Sequence, residues 1–423
     1  MTSIAPLDRV DPSEVGFDGE RLAAIDRFIE GNYLAKGRLP GFSWLVARGG
    51  KIVHQSVMGH RDVAQQQPMT DDTIVRIYSM SKPITSMALL TLYEEGRFRL
   101  FDPVSDYIPS WADLRVFADG TASRYTTRFP EREVTIHDLL THTSGLTYSW
   151  MARHPVDSLY RRNKLDQGLP LDEYVEILSG IPLLFSPGTQ WSYSVATDVI
   201  GRLIEIISGK PFDTFLQQRL FDPLEMRDTG FWIDDEKRGS RLAANYAVPS
   251  LSPFPLPAGV EGDHMALIDD SGPSSAFRQK PRFLSGGGGL LSTIDDYLRF
   301  CQMLLDGGRF GGHRVLSPKT IEFAASNHLP GNVDLAAMGQ EVFTETPYDG
   351  VGFGLGFSVV LSPAARKTVC SVGEFAWGGA ASTLFWIDPV EELVVIGLTQ
   401  LMPSSAYPLR DEMRTLVYGA MAG

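Results

Sequence analysis

Hydrophobic positions recur along this chain with two different periods, and the change of period divides it. In residues 18–34, DGERLAAIDRFIEGNYL, the residues Leu22, Ile25, Phe28 and Ile29 fall on one face at helical spacing. The following run, FSWLVARGGKIVHQSVMG, predicts two apolar strands around Gly49-Gly50, a hairpin signal. From Lys82 to Glu95 the pattern is helical again, and Gly96 ends it.

The middle of the chain, residues 100 to about 280, is rich in proline and in short helical pieces such as TIHDLLTHTSG, LDEYVEILSG and ATDVIGRLIEIISG. Stretches 112–132 and 238–285 read as long loops, of the kind that often form lids or pocket walls. Strands return at the end: FGLGFSVVLS, RKTVCSVG, ASTLFWIDP and ELVVIGLTQ, with a last helix near 404–420. The expected fold is α/β (α+β). One antiparallel sheet of about five or more strands is built from both chain ends and flanked by the terminal helices, and a mostly helical domain is inserted. The expected boundaries are 1–100 plus 286–423 for the sheet domain and 101–285 for the insertion, with the active site at their interface.

Composition narrows the function classes. The chain has 423 residues, 43% of them hydrophobic, enough for a large core. Its net charge of -13 and the lack of a Lys/Arg cluster argue against nucleic acid as a partner. Two cysteines, Cys301 and Cys370, lack the spacing of a metal site and read as buried reduced thiols. MTSIAPLDRVDPSEV lacks the basic and apolar segments of a secretory signal, and runs such as LVVIGL at 393–398 are far short of a membrane span. A cytoplasmic protein without a membrane partner, monomer or homodimer, is expected.

Candidate chemistry sits where a strand-like run meets a helix, in RIYSMSKPITS. A serine hydroxyl needs a base within hydrogen-bond reach to act as a nucleophile. Residues three apart share a helix face, so Lys82 stands beside Ser79. A helix N-terminus also offers backbone N–H groups and a positive dipole end to a developing oxyanion, and Pro83 suits the early helix. Lysine has an ordinary pKa of about 10.4, so it needs burial or a proton-sharing partner, for which tyrosine is the natural group. The competing reading is that Ser79 and Ser81 cap the helix. The sequence has no G-x-S-x-G for a Ser-His-Asp hydrolase. His137 and His142, five apart, miss the helical metal spacing and read as structural. GGGG at 286–289 lacks the Gly-Lys-Ser/Thr of a phosphate loop and reads as a chain crossing close to the site.

YSMSKPITSMALLTLYEEGRFRLFDPVSDYIP resembles the serine-lysine region of class C β-lactamases and their relatives. LLTHTSGL (139–146), FSPGTQWSYSVATDVIGRLIE (185–205), GGGGLLSTIDDYLRF (286–300) and FAWGGAASTLFWIDP (375–389) match later family segments in order. Two departures define a subgroup. Tyr193-Ser194-Val195 stands for the lactamase Tyr-x-Asn, and Trp377-Gly378-Gly379 for its Lys-Thr-Gly. With these changes the chain resembles the family VIII carboxylesterases.

That resemblance implies a β-lactamase-like fold with Ser79 as nucleophile and Lys82 and Tyr193 as the proton-transfer pair. It places the oxyanion hole at the backbone of Ser79 and Ala380. Trp377, Gly378, Gly379, Tyr148, Trp150 and Val195 are the expected substrate-binding residues, with Phe353 a further aromatic wall. The implied substrate is a small ester of short or medium acyl length, with no cofactor or metal. The alternatives are the same machinery acting as a β-lactamase, a D-amino-acid peptidase or amidase, or an acyltransferase, and a non-catalytic binding domain of this fold.

Overall fold

The structure, a computed structural model, describes residues 7–165, 167–339 and 347–422. The N-terminal stretch read for a signal therefore lies partly outside the described residues. Strands β1 (Gly41–Arg48), β2 (Lys51–Asp62) and β3 (Gln67–Pro68) come from the first part of the chain. Strands β4 (Val351–Phe353), β5 (Ser358–Val360), β6 (Phe375–Gly378), β7 (Leu384–Asp388) and β8 (Leu393–Leu398) come from the last part. They form one antiparallel sheet in the order β4-β5-β6-β7-β8-β1-β2-β3. The two chain ends meet where β1 pairs with β8, from Ser43 opposite Leu398 to Arg48 opposite Leu393. Gly49 and Gly50 turn β1 into β2 with φ of 56° and 72°, the left-handed values that a two-residue hairpin loop requires.

Both sheet faces are covered, which is why the central strands read as continuous apolar runs rather than alternating ones. Trp44 and Val46 of β1, Trp386 of β7 and Val395 of β8 face the terminal helices α1 (Gly19–Ile29) and, at the other end of the chain, Leu409–Gly419. Leu45, Phe385, Ile387, Val394 and Ile396 point the other way, into a core shared with α2 (Ser81–Glu94) and α3 (Ala196–Ser208). A slip of one residue in register would exchange these two sets. Helix α2 is buried from Ser81 to Leu92, so it runs through the core with no exposed face over that span. Helix α1 starts at an Asp18 cap and runs on through a π-type turn, Glu30–Leu34, so the whole 18–34 period is helical.

Three expectations are corrected. Residues 112–132 are not a structureless loop, because they hold the hairpin Val116–Thr121 with Arg124–Arg128. RKTVCSVG forms no strand. Lys367, in the left-handed region, ends the short helix Pro363–Arg366, and Val369 and Val372 point to solvent without a strand partner. FGLGFSVVLS is the β4-β5 hairpin rather than one strand, turned at Gly354-Leu355-Gly356, where Gly356 has φ of 100°. Cys301 is buried and Cys370 only partly so, and neither is in a disulfide. Among the described residues no helix is long and apolar enough to cross a membrane.

Candidate active site

The chain enters α2 through a two-residue pairing, Val75–Arg76 against Leu291–Ser292, and then a 3-10 turn, Tyr78–Met80. Ser79 thus lies in the turn that feeds the helix, one step earlier than the first helical turn that its spacing predicts. Tyr78 has φ of 44°, unusual for a bulky side chain, and its hydroxyl accepts from Asn245 Nδ2 at 2.7 Å. Neither serine caps the helix. The residue before α2 is Met80, with no side-chain cap, and Ser81 Oγ accepts from Leu290 N at 3.1 Å.

Ser79 Oγ faces two groups instead. Tyr193 donates its hydroxyl to it at 2.6 Å, and Lys82 Nζ donates to it at 3.3 Å. Lys82 is 1% exposed, and its Nζ also donates to Gly287 O at 2.7 Å. That nitrogen stands 4.6 Å from the Tyr193 ring centre and 5.5 Å from that of Tyr148, so the ammonium is enclosed by aromatic faces. Tyr193 is itself immobilised by packing. The rings of His142, Tyr148, Trp377 and Trp191 surround it at 5.1, 5.3, 5.5 and 6.3 Å. His142 is buried, and burial together with the Lys82 charge holds its imidazole well below its ordinary pKa. It pairs with Ser194 Oγ at 3.0 Å, whereas His137 pairs with His328 at 3.2 Å, so the two histidines serve different neighbourhoods.

The end of β6 closes on the same turn. A Cβ on Gly379 would lie 2.4 Å from Ile77 O and 2.3 Å from Thr383 Oγ1, so only glycine allows this approach. Gly379 N donates to Thr383 O at 3.0 Å, and Arg410 donates to Gly379 O and Thr383 O at 2.8 and 3.0 Å, holding the bend ahead of Ala380. Ala380 and Ser79 line one cavity of about 300 Å³.

That cavity brings together Ser79, Tyr193, Tyr148, Trp150, Val195 and Ala380 of the expected residues. Tyr148 and Trp150 stack at 5.0 Å, and Phe254 meets Trp150 at 4.9 Å. Trp377, Gly378 and Gly379 are not among the lining residues. Trp377 is 3% exposed and packs against Tyr193 and Phe353, at 5.5 and 5.3 Å between ring centres. Phe353 is buried behind it. Residues 148–165, which hold two short helical segments, contribute Tyr148, Trp150 and Leu165, and the expected wall 238–285 contributes Phe254, Phe283 and Ser285. Residues 112–132 contribute none.

Sequence reasoning missed Asp198, Tyr174 and Met402, which also line the cavity. Asp198 carried a signal, being a charged residue in the first turn of the helix, ahead of Arg202 and Glu205 and five residues after Tyr193. It is 3% exposed, and its Oδ1 accepts from Ser285 Oγ at 2.6 Å and Gly287 N at 3.0 Å.

A serine in hydrogen-bond contact with a buried lysine and a tyrosine, on a fold whose antiparallel sheet comes from both chain ends, fits a serine hydrolase of the β-lactamase type. The chain belongs to the beta-lactamase family, whose profile matches residues 25–420. It is 32% identical to the esterase EstB of Burkholderia gladioli over 97% of this chain and 98% of that one. An uncharacterized protein of Mycobacterium tuberculosis is 34% identical over 87% of each chain. Among solved structures, EstCE1, described as a hydrolase with promiscuous acyltransferase activity, superposes with a TM-score of 0.75. It is 27% identical, over 96% of this chain and 99% of that one.

Proposed function

We propose that the protein is a serine carboxylesterase that hydrolyses small, uncharged esters of short to medium acyl length through an acyl-enzyme on Ser79. The observation that carries this reading is the contact of Ser79 Oγ with Tyr193 at 2.6 Å and Lys82 at 3.3 Å. The pair acts in the form that has lost one proton, as phenolate with ammonium or phenol with neutral amine, and Ser79 Oγ attacks the ester carbonyl carbon while its proton fills that vacancy. The backbone N–H groups of Ser79 and Ala380 receive the oxyanion. Collapse breaks the bond to the alcohol, which takes the proton back from the pair. Water then attacks the acyl carbon, loses its proton to the same pair, and Ser79 is restored.

The substrate class follows from the cavity. Aromatic rings dominate its walls, and none of the described lining residues is Lys, Arg or His, so a substrate carboxylate finds no cation on that wall. EstB is named an esterase, which supports the same reading. A second reading, transfer of the acyl group to an alcohol, is favoured by a wall that could hold an apolar alcohol in place of water. It is in keeping with the acyltransferase activity described for EstCE1.

The test is turnover of p-nitrophenyl esters of rising acyl length beside a chromogenic cephalosporin, with Ser79→Ala as the blank. Ester turnover that dominates and peaks at short acyl length supports the reading. Faster lactam turnover, or ester cleavage that persists in the blank, overturns it. Added alcohol that diverts the acyl group into a new ester would favour transfer.

A further inference from the structure

The Gly286–Gly289 run, which the sequence marks but the reaction scheme leaves unused, is threaded between α2 and α3. Thr85 Oγ1 donates to Gly286 O at 2.9 Å, Lys82 Nζ to Gly287 O at 2.7 Å, and Leu290 N to Ser81 Oγ at 3.1 Å. From the opposite side Asp198 Oδ1 takes both Ser285 Oγ and Gly287 N. A Cβ on Gly286 would stand 2.6 Å from Thr197 O, and one on Gly287 would stand 3.1 Å from Asp198 Oδ2. Glycine is therefore needed at 286, and a Cβ at 287 would crowd the Asp198 carboxylate. One residue, Gly287, is gripped by a carboxylate through its N–H and grips the Lys82 ammonium through its carbonyl.

A buried carboxylate is costly unless a cation and hydrogen bonds offset it. Burial pushes the Asp198 carboxyl up, while Ser285, the Gly287 N–H and the Lys82 charge pull it back. The titratable groups around it are Lys82 on α2, Tyr193 just before α3, and Tyr148, Tyr78 and Tyr174 on the cavity wall, with the neutral His142 behind Tyr193. Among the described lining residues Asp198 is the carboxylate, and Lys82 is the cation that faces it.

We propose that Asp198 is a positioning residue: it anchors the glycine run whose Gly287 carbonyl holds Lys82, and its negative charge tunes proton transfer by the Lys82–Tyr193 pair. The proposal rests on the reading of that pair as the proton-transfer machinery. Its sign is independent of which member titrates. A nearby negative charge holds protons on both groups, so removing it lets either release its proton at lower pH.

Three variants test it, each measured for kcat and KM on p-nitrophenyl butyrate across the acidic limb of the pH profile. Asp198→Asn keeps the size and an acceptor oxygen but loses the charge. Its acidic limb moves down by about one pH unit and kcat falls about tenfold, with KM little changed. Thr85→Val removes the uncharged anchor of the same run and leaves the limb in place. Asp198→Glu keeps the charge, so its limb stays near that of the wild type while kcat falls. It carries the test if Asp198→Asn shows no cooperative melting transition. An unmoved limb in Asp198→Asn, an equal shift in Thr85→Val, or an Asp198→Glu limb displaced downward would overturn the proposal. A wild-type chain without Ser79-dependent ester turnover would sink the esterase reading alone. The same comparison then runs on the pH dependence of Ser79 labelling by a fluorophosphonate, which needs the pair but no ester.

Discussion

The Tyr193 hydroxyl stands closer to Ser79 Oγ than the Lys82 ammonium does, 2.6 Å against 3.3 Å. On the proposed mechanism the tyrosine is the nearer proton-transfer partner, and the lysine, whose nitrogen stands 4.6 Å from the phenol ring centre, also reaches the serine oxygen. Tyr193→Phe removes only the hydroxyl and is expected to lower kcat/KM at least about a hundredfold. Lys82→Ala should cost as much, and Ser79→Ala should leave background hydrolysis. Steady-state kinetics on variants with wild-type melting curves check this. Near-normal turnover in any of the three would remove that residue from the mechanism.

Trp377 packs against Tyr193 and Phe353 and is almost wholly buried. Its truncation should therefore loosen the tyrosine rather than reshape the cavity. Trp377→Ala is expected to destabilise the fold by about 3–5 kcal/mol and to slow esters of every acyl length by a similar factor. Denaturant unfolding and an acyl-length series measure the two effects. A changed length preference at unchanged stability would mean that the indole touches the substrate.

Gly379 lies where β6 closes on the turn that carries Ser79, with Ile77 O only 2.4 Å from the place of a Cβ. Gly379→Ala must push the bend that carries Ala380 away from Ser79. The expected result is a loss of about a hundredfold or more in kcat, the cost of one misplaced oxyanion donor, with a smaller change in KM. A variant with unaltered kcat would show that Ala380 supplies no such donor.

Asp296, away from the site, gives a stability prediction with a definite sign. It is 4% exposed and accepts from Thr229 Oγ1 and Asp228 N, both at 2.8 Å. Desolvation outweighs these bonds and lifts its pKa from 3.8 to about 7. The folded state therefore holds a proton that the unfolded chain has released, and this contribution to stability is lost as pH rises from about 4 to about 7. Asp296→Asn, which cannot ionise, should lose less stability than the wild type across that window. Urea unfolding at a series of pH values measures the difference, and parallel profiles would refute the shift.

What the sequence by itself determined is what bonded neighbours determine. Periodicity marked α1, the β1-β2 hairpin, α2 and the strands of both chain ends, because each depends on alternation or a helical turn within one segment. It also placed Lys82 beside Ser79, since three residues along a turn fix that proximity. It misjudged RKTVCSVG, because an apolar run becomes a strand only if another strand stands beside it. Tyr193 is 114 residues from Ser79 and was reached only through resemblance to a family. Asp198, 89 residues from Gly287, was not reached at all. Trp377 could be named but not oriented. A side chain's position on a strand does not say which neighbour it will meet, and the packing of sheet against helices decided that it meets Tyr193 and Phe353 and does not line the cavity. The tertiary structure alone decides such contacts, because a distance across the core is set by how elements pack and not by the bonds that join them.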